Sequence, residues 1–234
     1  MAEAKKRELS VVIPCYNEKN TIEAIVDKVR EADIDDLEII VVDNCSDDGT
    51  REIIRDRIED KVANVIYNES NIGKGGSVHK GYAAATKDIV VVQDADLEYD
   101  PVADYPRLVA PILAGEADAV YGSRFMNSKG VQGNLMNFIG NKVFTFFSNR
   151  MTGLHLTDME TCYKAIRREI VQSLDLKENG FGFEPEITAK LAARKCRIVE
   201  IPISYHPRSA SEGKKVKFRH GLWTLYCIWK YRKG

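Results

Sequence analysis

The chain has 234 residues, of which 44% are hydrophobic and 29% are charged, and its formal net charge is −1 at pH 7. This length allows one large domain with a hydrophobic core, and the balanced charge gives no global field that would attract nucleic acid. Five cysteines without a CxxC pair argue against a disulfide framework and a thiolate zinc site, and they indicate a reducing compartment.

The N-terminal segment MAEAKKRELS carries charges but lacks the apolar core of a secretory signal. No apolar run reaches the roughly 18–20 residues that span a bilayer. We therefore expect a cytoplasmic protein, with at most a peripheral contact at the cytoplasmic face of a membrane.

Apolar runs and helical patterns alternate along the first half of the chain. The apolar runs begin near Leu9, Leu37, Asn64, Ile89 and Ala117. Helical patterns cover about 21–32 and the stretch through Ile53 and Ile58, and in 71–86 a glycine-rich loop passes into an Ala-rich helix. Runs rich in Val and Ile that are separated by helices are typical of a parallel sheet covered on both faces. The predicted fold class is therefore α/β, with a mostly parallel, Rossmann-like central sheet flanked by helices.

The second half has a different pattern. It predicts a helix over 134–152 with a broad apolar surface, helices over 161–174 and 184–195, a strand over 197–205, and an aromatic, basic, amphipathic segment over 218–234. Tyr205–Gly234 contains eight Lys/Arg and a single acid, Glu212. Two interpretations of the last segment stay open, a docked terminal helix and a helix on a membrane surface. The apolar helix could likewise serve as core, as an interface in a homo-oligomer or as a membrane contact.

Polar side chains recur where the predicted strands end. They are Asn17, Glu18, Asp43, Asp94, Asp96 and Arg124. In an open α/β sheet the ligand crevice lies outside the carboxyl ends of the strands, so we expect these residues to converge in space.

The segment QDADLEYDP, residues 93–101, places four carboxylates directly after a buried strand. Residues two apart in an extended segment point to the same side, so Asp94, Asp96 and Glu98 are expected to approach one point. Hard divalent cations prefer oxygen ligands, and Mg²⁺ commonly combines one or two carboxylates with substrate phosphates. A metal site is favoured over a solvated loop, with Asp100 as the helix cap before Pro101.

Two further motifs allow more than one interpretation. DNCSDDGT, residues 43–50, fits a turn and helix cap, although Asp43 lies at the end of its strand and could accept hydrogen bonds from a nucleobase. NIGKGG, residues 71–76, lacks the spacing of a P-loop or of GxGxxG. Lys74 within it is a candidate contact to a diphosphate or to the shell of a metal.

Seven motifs occur in order along 9–231: VVIPCYNE, VVDNCSDDGT, NIGKG, QDADLEYDP, GSRF, TDMETCYK and RSASEGKK. With these motifs the chain closely resembles the family-2 glycosyltransferases of the GT-A fold, in particular the dolichyl- or polyprenyl-phosphate mannosyl- and glucosyltransferase branch. The resemblance implies a nucleotide-diphosphate-sugar donor (GDP-mannose or a UDP-sugar), Mg²⁺ or Mn²⁺, and inverting transfer of the sugar to a lipid phosphate.

The resemblance also implies roles for individual residues. Donor-binding roles fall on Pro14, Tyr16, Glu18, Val41, Asp43, Lys74, Asp94, Ala95, Arg208 and Lys214; metal-binding roles on Asp96 and Glu98; and contact with the acceptor phosphate or the donor diphosphate on Arg124. Asp96 and Arg124 are expected to be catalytic, with Asp158 and Glu160 as candidate bases should the acceptor be a hydroxyl. The domain would cover 9–215, between an N-terminal tail, 1–8, and a C-terminal helix, 216–234.

The chain departs from the family pattern at two positions. Glu98 stands where close relatives often have Gln, and Cys162 stands where Gly is expected, which makes the roles of Asp158 and Glu160 less certain. Two alternatives therefore stay open: a glycosyltransferase that acts on a saccharide or protein hydroxyl, and a non-catalytic nucleotide-sugar-binding protein.

Overall fold

The structure, a computed structural model, describes residues 6–126, 135–207 and 218–233. Within these residues, seven strands form one sheet: β1 (Glu8–Cys15), β2 (Asp36–Asp43), β3 (Asn64–Tyr67), β4 (Ile89–Val92), β5 (Ala119–Ser123), β6 (Lys164–Arg167) and β7 (Ile198–Pro202). The helices are α1 (Ile22–Arg30), α2 (Thr50–Ile53), α3 (Gly73–Ala84), α4 (Pro101–Leu113), α5 (Leu135–Thr152), α6 (Arg168–Ser173), α7 (Phe183–Ala193) and α8 (Phe218–Lys230). A π-helical turn, Ile54–Ile58, and a 3-10 turn, Glu59–Lys61, extend α2.

The strand order is β3-β2-β1-β4-β6-β5-β7. Neighbouring strands pair in parallel except at β6, which runs antiparallel to both β4 and β5. The predicted mostly parallel α/β sheet is therefore confirmed. Because only β6 is reversed, the carboxyl ends of the other six strands meet at one edge of the sheet.

Helices cover the sheet on both faces. Val11, Val12 and Ile13 are consecutive in β1 and all have no exposed surface, so the two sides of this central strand are both covered. The amphipathic spacing of α1 explains one part of the cover, because Ile22, Ile25, Val26 and Val29 occupy a single side of that helix and are buried.

Two predicted elements differ from the structure. The helix expected over 161–174 is wrong at its start, because residues 164–167 form β6 and only 168–173 are helical. A short apolar run does not distinguish helix from strand. Here residues 164–167 form a strand because their backbone groups pair with those of β4 and β5. Helix α4 was not predicted, although its cap was: the Asp100 carboxylate accepts hydrogen bonds from the Val102 and Ala103 amides, at 3.2 and 3.3 Å.

The C-terminal helix α8 packs on α5 and α7. A Cβ atom placed on Gly221 of α8 would lie 3.1 Å from the Phe144 ring of α5, so the two helices approach closely at this glycine. None of the helices in the described parts of the chain combines the length and the apolar character that crossing a membrane requires. The division of the chain at residues 8 and 216 stays a prediction.

Candidate active site

The expected convergence of polar residues is present at the carboxyl edge of the sheet. Strands β1, β2, β4 and β5 end there at Cys15, Asp43, Val92 and Ser123. The segments that follow them carry most of the predicted site residues, and they contact one another through the side chains described below.

The loops after β1 and β2 are joined by hydrogen bonds. Asn17 has a left-handed backbone, with φ 54°. Its amide donates to Ser46 Oγ at 3.0 Å, and its side chain exchanges two hydrogen bonds with Asp47, at 2.8 and 3.0 Å. The Glu18 amide donates to Thr50 Oγ1 at 2.9 Å. These hydrogen bonds therefore hold the two motifs expected to bind the nucleotide against each other.

The residues predicted to line the nucleotide pocket or to contact the base differ in accessibility. Tyr16 is 36% exposed and Pro14 is partly buried, whereas Val41 and Asp43 have no exposed surface. The Asp43 carboxylate is held by Arg51, whose Nε donates to it at 2.8 Å. Contact of Val41 and Asp43 with a base stays a prediction, and it would require a rearrangement around Arg51.

Lys74 in the glycine-rich loop pairs with Asp94 beyond the end of β4, with Nζ 2.6 Å from Oδ1. Burial disfavours both charges, but their mutual attraction outweighs it, so the pKa of Lys74 is raised and the pKa of Asp94 is lowered. The adjacent residue of the motif, Ala95, is buried. Two of the predicted donor contacts thus form an ion pair at the edge of the sheet.

The glycines of this loop are required by a close contact with the turn before α7. A Cβ on Gly73 would lie 2.2 Å from the Asn179 carbonyl oxygen, and one on Gly75 would lie 2.2 Å from the Glu178 carbonyl oxygen. The Gly76 amide donates to the Asn179 carbonyl at 3.1 Å. This contact sets the position of Lys74 relative to the sheet.

The acidic segment is not extended as expected. It bends at residues 95–97, and Leu97 has a left-handed backbone with φ 48°. The extended conformation expected for this segment is therefore wrong, and the approach of Asp94, Asp96 and Glu98 to one point stays a prediction. Asp94 pairs with Lys74, whereas the Glu98 carboxylate accepts a hydrogen bond from the hydroxyl of Tyr205, which follows β7.

Buried Gln93 holds the start of the segment. Its Oε1 accepts hydrogen bonds from Tyr105 and Tyr163, at 2.7 and 2.6 Å, and its Nε2 donates to the Asp94 carbonyl at 3.0 Å.

The two predicted metal ligands suit a divalent cation by their chemistry. The Glu98 amide donates to Asp96 Oδ1 at 3.3 Å, so both carboxylates belong to one bend. The described residues contain no group of three or more His, Cys, Asp or Glu side chains that could hold a metal alone. Mg²⁺ does not need one, since it is commonly bound by one or two carboxylates together with substrate phosphates. Asp96 and Glu98 therefore fit a metal that the donor diphosphate helps to bind.

Arg124, after β5, forms a bidentate pair with buried Asp158. Its Nε and Nη2 donate to the two carboxylate oxygens at 2.7 and 2.8 Å, and its backbone amide adds a bond at 3.1 Å. Burial opposes the positive charge, but attraction to Asp158 raises the pKa of Arg124. The guanidinium also lies 5.3 Å from the centre of the Tyr205 ring, and the Tyr205 hydroxyl donates to Glu98 at 2.9 Å. The predicted phosphate-binding and metal-binding residues are thus brought together through Tyr205.

Glu160 is the one of the two candidate bases that has an available oxygen. Its Oε1 is buried and has no hydrogen-bond partner among the described residues. Burial, followed by the negative charge of Glu184, raises its pKa to about 8. Asp158 is instead committed to Arg124 through both oxygens. The structure therefore favours Glu160 over Asp158 as an acceptor of protons.

Cys162 lies inside the site. Its thiol is buried and donates to the Val92 carbonyl at 3.5 Å, and burial raises the pKa of the thiol. A thiol that stays protonated is a poor nucleophile, so a packing role follows at this position. Arg208 and Lys214 lie outside the described residues, and their predicted contacts with phosphates stay predictions.

Several residues of the site were not singled out from the sequence. They are Arg51, Gln93, Lys164, Glu184 and Tyr205. Lys164 is 1% exposed and pairs with Glu184. The sequence alone does not indicate that this pair lies beside Glu160. Gln93 offered the one usable signal, because a polar residue directly after an apolar strand must find buried partners.

Comparisons with known proteins identify the family of the chain. A family model described as glycosyl transferase family 2 matches residues 10–175. The chain is 30% identical over 215 residues to an undecaprenyl-phosphate mannosyltransferase of Micrococcus luteus, covering 87% of this chain and 85% of that protein. It is 31% identical over 213 residues to an undecaprenyl-phosphate 4-deoxy-4-formamido-L-arabinose transferase of Aeromonas hydrophila, covering 88% of this chain and 62% of that protein.

The fold also matches a solved structure, glucosyl-3-phosphoglycerate synthase from Mycobacterium tuberculosis in complex with Mn²⁺, uridine diphosphate and phosphoglyceric acid. The TM-score is 0.73 at 23% identity, and the match covers 97% of this chain and 78% of that one. At this identity the likeness shows the fold, and the expected GT-A class is confirmed. Because the family model spans most of the chain, the protein belongs to glycosyl transferase family 2 and is a glycosyltransferase.

Proposed function

We propose that this glycosyltransferase moves a sugar from a nucleotide-diphosphate sugar to a polyprenyl phosphate, with inversion at the anomeric carbon. The observation that carries the proposal is the arrangement of Arg124, which is oriented by Asp158 and lies next to the Tyr205–Glu98 pair. Two relatives at 30% and 31% identity are named as undecaprenyl-phosphate sugar transferases, which supports the same acceptor class.

The reaction brings two anionic groups together, the diphosphate of the donor and the phosphate of the acceptor. An oxygen of the acceptor phosphate forms a bond to the anomeric carbon, the bond from that carbon to the donor diphosphate breaks, and a nucleoside diphosphate leaves. Arg124 reduces the repulsion between the two anions and orients one of them. Lys74 offers a second cation near the donor once its pairing with Asp94 is shared with a phosphate.

A divalent cation fits the proposal. Asp96 and Glu98 would hold it, and when bound it would stabilise the negative charge that develops on the leaving diphosphate. Mn²⁺ or Mg²⁺ together with uridine diphosphate occurs in structures of the fold neighbour. GDP-mannose and UDP-sugars are both candidate donors.

The acceptor needs no strong general base if it is a phosphate. A phosphate monoester has a second pKa of about 6 and is largely dianionic at neutral pH, so it is already a nucleophile. Glu160 favours a second candidate function, transfer to a hydroxyl. With a pKa of about 8 its carboxyl is mostly protonated at neutral pH, and its ionised form, which becomes populated as the pH rises towards 8, could take the hydroxyl proton.

A panel assay tests the proposal. Release of nucleoside diphosphate is measured with UDP- and GDP-sugars, with Mn²⁺ or Mg²⁺, in the presence of undecaprenyl phosphate or of undecaprenol as its matched control. We expect release with the phosphate and not with the alcohol, and loss of this release in Asp96→Ala. Release with the alcohol or with a saccharide, but not with the phosphate, would establish the second candidate.

The location of the protein is part of the proposal. A polyprenyl phosphate resides in a membrane, so the enzyme would work as a cytoplasmic protein at the membrane surface.

A further inference from the structure

Two neighbouring helices carry most of the exposed apolar side chains of the described chain. Of fifteen large hydrophobic residues that are exposed, eleven lie on α5 and α8. Met136 and Phe146 of α5 are 74% and 65% exposed, and Leu222 and Trp229 of α8 are 59% and 55% exposed. We call the exposed apolar side chains of α5 and α8 the α5–α8 face. A contiguous exposed apolar surface of this kind marks an interaction site.

The spacing of these residues is that of an amphipathic helix. Leu222, Trp223, Tyr226 and Trp229 follow one side of α8, three or four residues apart, and Met136, Ile139, Val143 and Phe146 do the same on α5. The other side of α8 is buried against α5 and α7.

Helix α8 is fixed by one buried carboxylate. Glu178, 6% exposed, accepts hydrogen bonds from Trp223 Nε1 at 3.0 Å, Lys230 Nζ at 2.8 Å and the Tyr231 hydroxyl at 2.8 Å. These hydrogen bonds hold the helix in place, so its exposed aromatic side chains are at the surface before any partner binds. The α5–α8 face is a preformed surface.

The charges on the two helices distinguish a membrane from a second copy of the chain. Neither α5 nor α8 contains an Asp or a Glu, and both contain Lys and Arg. Arg150 and Lys233 are exposed, and the Arg232 guanidinium lies 4.4 Å from the centre of the Trp229 ring. A second copy would bring like charges together. Trp and Tyr next to Arg and Lys instead suit the boundary between lipid headgroups and acyl chains when the lipid is anionic.

The face adjoins the candidate active site through α5. The Phe125 ring, next to Arg124 in the chain, meets the Phe138 ring edge to face at 5.2 Å. Further along α5, the Thr145 hydroxyl accepts a hydrogen bond from the Met159 amide at 3.1 Å. Helix α5 thus packs directly on the segments that carry Arg124 and Asp158.

We propose that the α5–α8 face docks on an anionic lipid bilayer, so that the phosphate of a membrane-bound acceptor reaches Arg124 while its chain stays in the lipid. This inference deepens the proposed function and rests on it for the identity of the acceptor. Docking itself needs only the surface of the helices.

The wild-type protein provides a direct readout, because both of its tryptophans, Trp223 and Trp229, lie on α8. Vesicles of phosphatidylcholine with 30% phosphatidylglycerol are added, and vesicles of phosphatidylcholine alone serve as the control. We expect a blue shift of the emission and quenching by brominated acyl chains with the anionic vesicles, both much weaker with neutral vesicles or in high salt. An unchanged spectrum at saturating anionic lipid would overturn the proposal.

A variant localises the contact. Flotation with the anionic vesicles compares the wild type, the double variant Phe146→Ser/Trp229→Ser, and Val102→Ser, which replaces an exposed apolar residue on α4. We expect at least a fivefold loss of bound protein for the double variant and none for the control, with unchanged far-UV circular dichroism for all three. Equal binding of the double variant and the wild type contradicts the proposal. So does a dimer of the wild type, in analytical ultracentrifugation, that the double variant abolishes.

The failure of docking and the failure of the proposed function give different results. With a short-chain, water-soluble polyprenyl phosphate the double variant should keep the turnover of the wild type, whereas with acceptor in vesicles it should lose most of it. Docking without turnover on any lipid phosphate would refute the proposed function alone. Equal turnover of variant and wild type on acceptor in vesicles would refute the docking proposal alone.

Discussion

Replacement of Glu160 by Gln should make the stability of the protein less sensitive to pH. The Glu160 carboxyl has an ordinary pKa of 4.5 when the chain is unfolded, and burial together with the charge of Glu184 raises it to about 8 in the folded protein. Between these two values the folded state retains a proton that the unfolded state has lost. The free energy of unfolding of the wild type therefore falls as the pH rises through this window.

The magnitude follows from the two pKa values. A tenfold change in a proton-binding constant is worth about 1.4 kcal/mol, so the shift from 4.5 to about 8 corresponds to at most about 5 kcal/mol. Glutamine carries no proton that titrates, so the variant lacks this loss. Relative to the wild type, Glu160→Gln should gain up to about 5 kcal/mol between pH 4.5 and pH 8, whatever the pH-independent effect of the amide.

Urea unfolding at several values of pH between 4.5 and 8.5, followed by circular dichroism without metal or nucleotide, measures the difference. Glu169→Gln, at an exposed position on α6, is the matched control and should show no such trend. A difference between Glu160→Gln and the wild type that stays constant across this range, or that changes in the opposite direction, would refute the reasoning.

The same variant separates the two acceptor classes. A phosphate acceptor needs no base, so Glu160→Gln should retain turnover with undecaprenyl phosphate within a few-fold. Loss of turnover with retained donor binding would instead place Glu160 as the base for a hydroxyl acceptor.

Three further predictions concern Arg124, the glycine-rich loop and an ion pair at the opposite edge of the sheet. Arg124→Lys keeps the charge but loses the bidentate geometry with Asp158. The kcat/KM for the lipid phosphate should therefore fall about 10- to 100-fold, equivalent to roughly 1.4–2.7 kcal/mol. An unchanged kcat/KM would exclude the proposed phosphate contact. Gly75→Ala places a Cβ 2.2 Å from the Glu178 carbonyl oxygen. Thermal unfolding should therefore show that the free energy of unfolding falls by about 1–3 kcal/mol, and the donor should bind more weakly. Normal donor binding would contradict the role of this contact in positioning the loop. Hydrogen bonds from Arg197 lower the pKa of Asp118 from 3.8 to about 2, so the ionised carboxylate stabilises the fold above pH 4 and this stabilisation is lost as the pH falls towards 2. Asp118→Asn should therefore lower the free energy of unfolding by about 1–2 kcal/mol at pH 7. If the variant is destabilised equally at pH 2, the loss has another origin.

The predicted architecture followed from local patterns. Runs of Val and Ile separated by amphipathic helices predict a covered parallel sheet, and its topology brings the carboxyl ends of β1, β2, β4 and β5 to one edge. The meeting of Asn17, Asp43, Asp94 and Arg124 at that edge was therefore predictable, because it depends on strand direction and not on side-chain detail. The cap at Asp100 was predictable for the same reason, since a cap depends on neighbouring residues alone.

Strand β6 shows where local patterns fail. Residues 164–167 could form either element, and the choice was made by β4 and β5, which pair with them from distant parts of the sequence. The bend at Leu97 is a second case, because hydrogen bonds of Gln93 with two tyrosines set the direction of the chain after β4.

The sequence by itself determined the family, the sheet and the set of residues at its edge, because motifs and periodicity are written along the chain. Only the tertiary structure decided what each of those residues does there. Asp158 became the partner of Arg124, Glu160 was left with an available oxygen, and Asp94 was joined to Lys74. Their charges and proton affinities depend on burial and on neighbours that are far apart in the chain, and this information exists only once the chain is folded.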